Sequence, residues 1–144
     1  MYREVKVGVN AGTGDPPYVW DVLILDVAYQ EAMSFLNEDQ YSHVASQVQE
    51  MARETDPSHS QVVSVDAVEG FLELREKGGP LGKINVRVFF WLDTRELAGG
   101  QRSHAIVILG AKKKESEGQT PVGWRLTMKR RLRKYRNGNY AGNG

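Results

Sequence analysis

The residues with the most chemical reach in this sequence are cations. Lys112, Lys113 and Lys114 form an unbroken run, and Arg75 and Arg87 lie upstream in two apolar stretches. A guanidinium is a planar fork that pairs two phosphate oxygens at once, so arginine suits the stabilisation of charge building on phosphorus. A lysine takes or gives a proton near neutral pH only when its pKa falls, and crowding by other cations lowers it. A lysine run facing Arg75 and Arg87 across adjacent strands would be such a crowd. Arg75, Arg87, Lys112 and Lys113 are therefore the candidate catalytic set, a site without histidine. Lys77 and Lys83 flank a Gly-Gly-Pro turn and are candidate phosphate contacts, as are Lys114 and, near the C-terminus, Arg130, Arg131 and Lys134.

Each candidate has a plainer reading. Arg75 could be a solvated strand residue or a partner of Glu73 or Glu76. Arg87 stands inside a strongly apolar strand, so it faces either a wet concavity or a carboxylate; the concavity is the expectation. A lysine run is often only a solvated turn, and flexible-loop lysines such as Lys77 and Lys83 contribute little. Of the histidines, His43 reads as structural, His59 as a loop residue, and His104 as the start of a strand within reach of the site. They lack metal-ligand spacing, and no His-Glu-x-x-His is present, so no metal and no cofactor are expected. Ser103-His104 has no third member to make a triad. Phe89, Phe90, Trp91, Trp124 and Tyr135 read as packing residues rather than stacking platforms.

Charge is divided along the chain. Met1 to Gly70 holds three basic and twelve acidic residues, a net of −9. Phe71 to Gly144 holds sixteen basic and six acidic residues, a net of +10, and the whole sums to +1. Such asymmetry points to a polyanion, nucleic acid first, as the partner of the second half. The alternative is that the two halves neutralise each other inside one fold. At 144 residues with 40% hydrophobic and 26% charged residues, the chain is one domain with a real core. No apolar run is long enough to span a membrane, and the N-terminus has no signal-peptide pattern. Cysteine is absent, which removes disulfides, thiolate metal sites and a Cys nucleophile. A cytoplasmic location is the expectation.

These cations need elements to place them. Residues 1–17 read as an extension; its Gly-Thr-Gly lacks the remaining residues of a phosphate loop. Tyr18 to Val27 is β-branched and aromatic and predicts a strand. Ala28 to Leu36 predicts a short helix. Tyr41, Val44, Ala45, Val48, Met51 and Ala52 predict an amphipathic helix from about Gln40 to Glu54. Three strands follow at 71–75, 84–93 and 104–110, the last apolar enough to be central and covered on both faces. The lysine run leaves the end of that strand. Thr120 as N-cap and Pro121 open a basic helix to about Arg136, and 137–144 is a tail. The order β-α-α-β-β-β-α makes an α+β domain at 18–136: a small antiparallel sheet, an N-terminal helical hairpin and a basic C-terminal helix.

Gly70-Phe-Leu-Glu-Leu-Arg75 followed by Val86-Arg-Val-Phe-Phe-Trp-Leu-Asp93 resembles the paired middle strands of RelE/ParE-superfamily toxins. Ile106-Val-Ile-Leu-Gly-Ala-Lys-Lys-Lys114, Thr120-Pro121 and the helix ending Arg130-Arg-Leu-Arg-Lys-Tyr-Arg136 are similar to the C-terminal half of the HigB-like branch. The resemblance runs over about Val19 to Arg136. Leu109-Gly110-Ala111 departs from the His-Gly-Phe of many HigB-like chains. The resemblance implies a RelE-like fold and the toxin of a type II toxin–antitoxin pair, with a cognate antitoxin as partner. It implies cleavage of mRNA on the ribosome without a metal. In that reaction an arginine would steady the phosphorane and a lysine would move the proton. Two alternatives remain: a ParE-like gyrase inhibitor, and a module of the same fold that binds RNA or a partner without catalysis.

Overall fold

Short apolar stretches broken by glycine and proline make strands here, and the one long apolar run makes the middle of the sheet. A computed structural model describes residues 4–6, 19–68, 70–94, 104–114 and 118–137. The expected extension and tail fall outside them apart from residues 4–6 and Asn137. The elements are β1 (Glu4–Lys6), β2 (Asp21–Leu25), α1 (Asp26–Phe35), α2 (Glu38–Met51), β3 (Ser64–Val68), β4 (Phe71–Glu76), β5 (Asn85–Asp93), β6 (Ala105–Lys114) and α3 (Val122–Arg136). The chain is α+β. Strands β2 to β6 form a mixed sheet to which short β1 adds an outer strand, in the order β1-β2-β6-β5-β4-β3.

The expected all-antiparallel sheet needs correction. β3, β4, β5 and β6 pair antiparallel in turn, but β2 runs parallel to β6, with Asp21 opposite Ala105 and Ile24 opposite Ile108. The cause lies in the connection. α1 and α2 carry the chain away from β2, so the last strand can lie beside it without a hairpin. The helix limits also have local causes. Asn37, which reads as a breaker, is the N-cap of α2: its side chain accepts from the Gln40 amide at 2.9 Å, and Gln40 Oε1 accepts from the Asn37 amide at 3.0 Å. This capping box brings Glu38 and Asp39 into the first turn, where the helix dipole favours acids. Thr120 does not cap α3, because its hydroxyl is engaged with Glu73.

The helices cover opposite faces. Ala32 of α1, Leu36 just after it, and Val44 and Val48 of α2 close on Ile24, Val86, Val88 and Ile108. On the other face α3 sets Trp124 edge-on to Phe89 and Tyr135 edge-on to Trp91. Residues 105–111 of β6 are all buried, as a central strand covered on both sides requires. A β-bulge between Phe89 and Phe90 shifts the register and places Gly110 opposite Phe89. A Cβ on Gly110 would lie 2.6 Å from Met128 Sδ and 2.9 Å from Arg131 Nη1, so a larger residue would displace the ends of these two buried side chains. Gly110→Ala should therefore lower stability by about 1–3 kcal/mol through overpacking. Urea unfolding followed by circular dichroism checks this; an unchanged midpoint would mean that Met128 and Arg131 swing aside without loss.

Candidate functional site

β4, β5 and β6 bring three of the sequence candidates into one cross-strand row. Arg75 is opposite Arg87, and Arg87 is opposite Lys112. Opposed residues share a face, here the face that α3 covers. Each cation in the row meets a carboxylate.

Arg87 is the clearest correction. It is 2% exposed, and although it contributes to the wall of a cleft at the strand ends, its guanidinium turns to a carboxylate rather than to water. Its Nη1 donates to Glu73 Oε1 at 2.6 Å, and Glu73 is 1% exposed. Glu73 lies on the same face of β4 two residues before Arg75, within diagonal reach of Arg87. Arg87 Nη2 donates to the Gly118 carbonyl at 2.8 Å, and the Thr120 hydroxyl donates to Glu73 Oε2 at 2.8 Å. The ion pair thus ties the segment leading into α3 down to the sheet. A buried charge persists when it is paired and hydrogen-bonded, and this one is both.

The lysine run is also placed differently. Lys112 to Lys114 lie inside β6 rather than beyond it, so their side chains alternate between faces. Lys112 Nζ is 2.6 Å from Glu31 Oε2. Lys113 is opposite Val86 on the other face and is exposed, while Lys114 is opposite Asn85. Lys112 and Arg131 share Glu31 Oε2, so a carboxylate stands between the neighbouring cations. Arg131, expected at an RNA surface, is buried: it holds Glu31 with both terminal nitrogens, at 2.7 and 3.0 Å, and donates to the Leu109 carbonyl at 2.8 Å. Glu31 also accepts from the Ala111 amide at 3.2 Å. β2 pairs with β6 only as far as Ile108, so this carboxylate and Arg131 complete an edge that no strand covers. Burial alone would raise the Glu31 pKa. Hydrogen bonds from Arg131 and Lys112 outweigh it, and the carboxyl titrates below the ordinary glutamate value.

Lys77 and Lys83 are exposed on either side of the turn, and Arg130 and Lys134 are exposed on α3. Arg75 also lies at a wet site. Its side chain is 38% exposed, its Nε is 2.9 Å from Asp66 Oδ2 and 3.7 Å from Glu73 Oε1, and the nearer partner is neither of those expected. It forms a wall shared by two open clefts. One, about 460 Å³, lies at the strand ends with Glu76, Lys77 and Asn85. The other, about 290 Å³, lies between β3–β4 and the start of α3, with Asp66, Thr120 and Arg125. His43 is bonded to Glu76 through Nε2 at 3.2 Å beside the first cleft.

Arg125 was missed in the sequence. The signal was present: it stands three residues before buried Met128, on the inward flank of the α3 stripe rather than among its outward cations. Among the described residues no three His, Asp or Glu side chains gather to hold a metal, and no helix is long and apolar enough to cross a membrane. No family model matches this chain, and neither a curated protein nor a solved structure matches it.

Proposed function

We propose that this chain is a RelE/ParE-type toxin of the HigB-like kind. It would bind RNA on the α3 side of its sheet, cut mRNA on the ribosome in the cytoplasm, and be silenced by a cognate antitoxin. The observation that carries the reading is Arg75, a half-exposed arginine at the junction of two open clefts at one end of the sheet. The element order from β2 to α3 supports it, with β3 as an added edge strand. So do the outward cations Arg130, Arg133 and Lys134 of α3, suited to a phosphate backbone. In this scheme Arg75 takes the phosphate, while Arg87 and Lys112 hold the cleft's architecture rather than touch RNA.

A second reading is an RNA- or partner-binding module of the same fold without catalysis. It is favoured by the carboxylates at Arg87 and Lys112, which occupy two of the four candidate catalytic groups. A cell-free translation reaction with mapped mRNA 3′ ends separates the two. The first reading expects truncated mRNA that depends on translation, with cutting by Arg75→Ala reduced about tenfold or more at an unchanged unfolding midpoint. RNA bound but left intact supports the second. Intact mRNA, normal translation and no RNA binding overturn both; stalled DNA supercoiling would then indicate the gyrase alternative.

A further inference from the structure

The cleft between β3–β4 and the start of α3 contains two guanidinium groups with an unusual deficit. Arg75 Nε and Arg125 Nε are both buried from solvent, and neither makes a hydrogen bond. Buried donors are nearly always satisfied, so a pair of orphans at one cavity indicates an acceptor that binds there. Asp66 lies 2.9 Å from Arg75 Nε as an ion pair without hydrogen-bond alignment. Arg125 has no carboxylate partner among the described residues. Glu73, the other acid at the cavity, is already held by Arg87 and Thr120. α3 starts two residues after Thr120 of the cavity wall and has no side-chain cap, so the positive end of its dipole adds to the same field.

We propose that this cleft is a seat for one phosphate group, gripped between Arg75 and Arg125. Two planar forks offer more donors than a carboxylate has oxygens to fill, and they suit a tetrahedral anion. A volume of about 290 Å³ admits the phosphate with part of what it is attached to. Asp66 is the brake on the seat, because it opposes the incoming anion and occupies one side of Arg75. The proposal deepens the RNA reading, on which it rests only for the source of the phosphate.

The test is a titration of the full chain with inorganic phosphate, followed by NMR of the arginine Nε–Hε signals. Saturable shifts at Arg75 and Arg125 are expected. Arg125→Gln should weaken binding roughly tenfold, the scale of a lost charged hydrogen bond. Asp66→Asn should tighten it several-fold, a gain that misfolding cannot mimic. Arg53→Gln, on an exposed arginine that lines neither cleft, should leave it unchanged. Wild-type affinity in Arg125→Gln, no gain in Asp66→Asn, or acetate binding as well as phosphate overturns the seat. Competition by an oligoribonucleotide lacking a terminal phosphate supports a backbone phosphodiester as occupant; competition that requires a 5′-phosphate supports a terminal one. Phosphate bound with no competition by either RNA keeps the seat and removes the RNA reading. RNA cutting that survives in an Arg125→Gln variant with wild-type phosphate affinity does the reverse.

Discussion

Glu73→Ala is expected to cost about 3–5 kcal/mol of folding stability, a large part of the total for a domain of this size. The substitution strands Arg87, which is 2% exposed and cannot reach water without opening the segment into α3. It also strips the Thr120 hydroxyl of its acceptor. Urea unfolding measures the loss, and a loss under about 1 kcal/mol would mean the pair is solvated. A second variant separates the missing partner from the missing charge. Glu73→Leu combined with Arg87→Met removes both ions and fills similar volume, so it should recover most of the stability. Retained RNA cutting in that double variant would confine Arg87 to an architectural role. Loss of cutting in a stable double variant would return Arg87 to the catalytic set.

Glu31→Ala is expected to be nearly as severe, about 3 kcal/mol or more, since two cations and one strand amide lose the same acceptor. Here pH supplies an independent check. The folded carboxyl titrates below the ordinary glutamate value, so the unfolded chain binds the proton more tightly. The stability it contributes is complete above the unfolded value of about 4.3 and is lost as pH falls through the lower folded value. The gap between wild type and Glu31→Gln should therefore be widest near neutral pH and close on acidification. A gap that stays constant from about pH 6 to about pH 3 would show that charge is not what Glu31 contributes.

Apolar periodicity made the skeleton legible. Val44, Val48 and Met51 share one stripe in the sequence and are all buried in α2. The run 104–110 reads as a covered strand, and residues 105–111 are buried in one. Direction was not legible, because a run such as Val22 to Leu25 has the same pattern whether it enters a sheet parallel or antiparallel. Charge partners were legible only where they were local. Glu73 faces Arg87 only once the register of β4 on β5 is known, and Glu31 stands 100 residues from Arg131. The two halves do neutralise each other in part, through Glu31 with Lys112 and Arg131 and through Asp66 with Arg75. Arg125 was within reach of helical spacing alone, but composition drew notice to the denser cations that follow it.

The parallel pairing of β2 with β6 sets the order of events during synthesis. β2, near the start, has its central neighbour in residues 105–108, and the Glu31 bonds wait for Arg131. While the first half stands alone outside the ribosome it bears a net −9, with its sheet partner and its main counter-charges still unmade. Long-range closure of this kind slows folding, since loop entropy is lost before any contact compensates it. The sheet can close only when β6 emerges, and the Glu31 lock only when α3 does. The nascent domain therefore stays open for most of its translation, and the cleft between β3–β4 and α3 takes shape only in the last step.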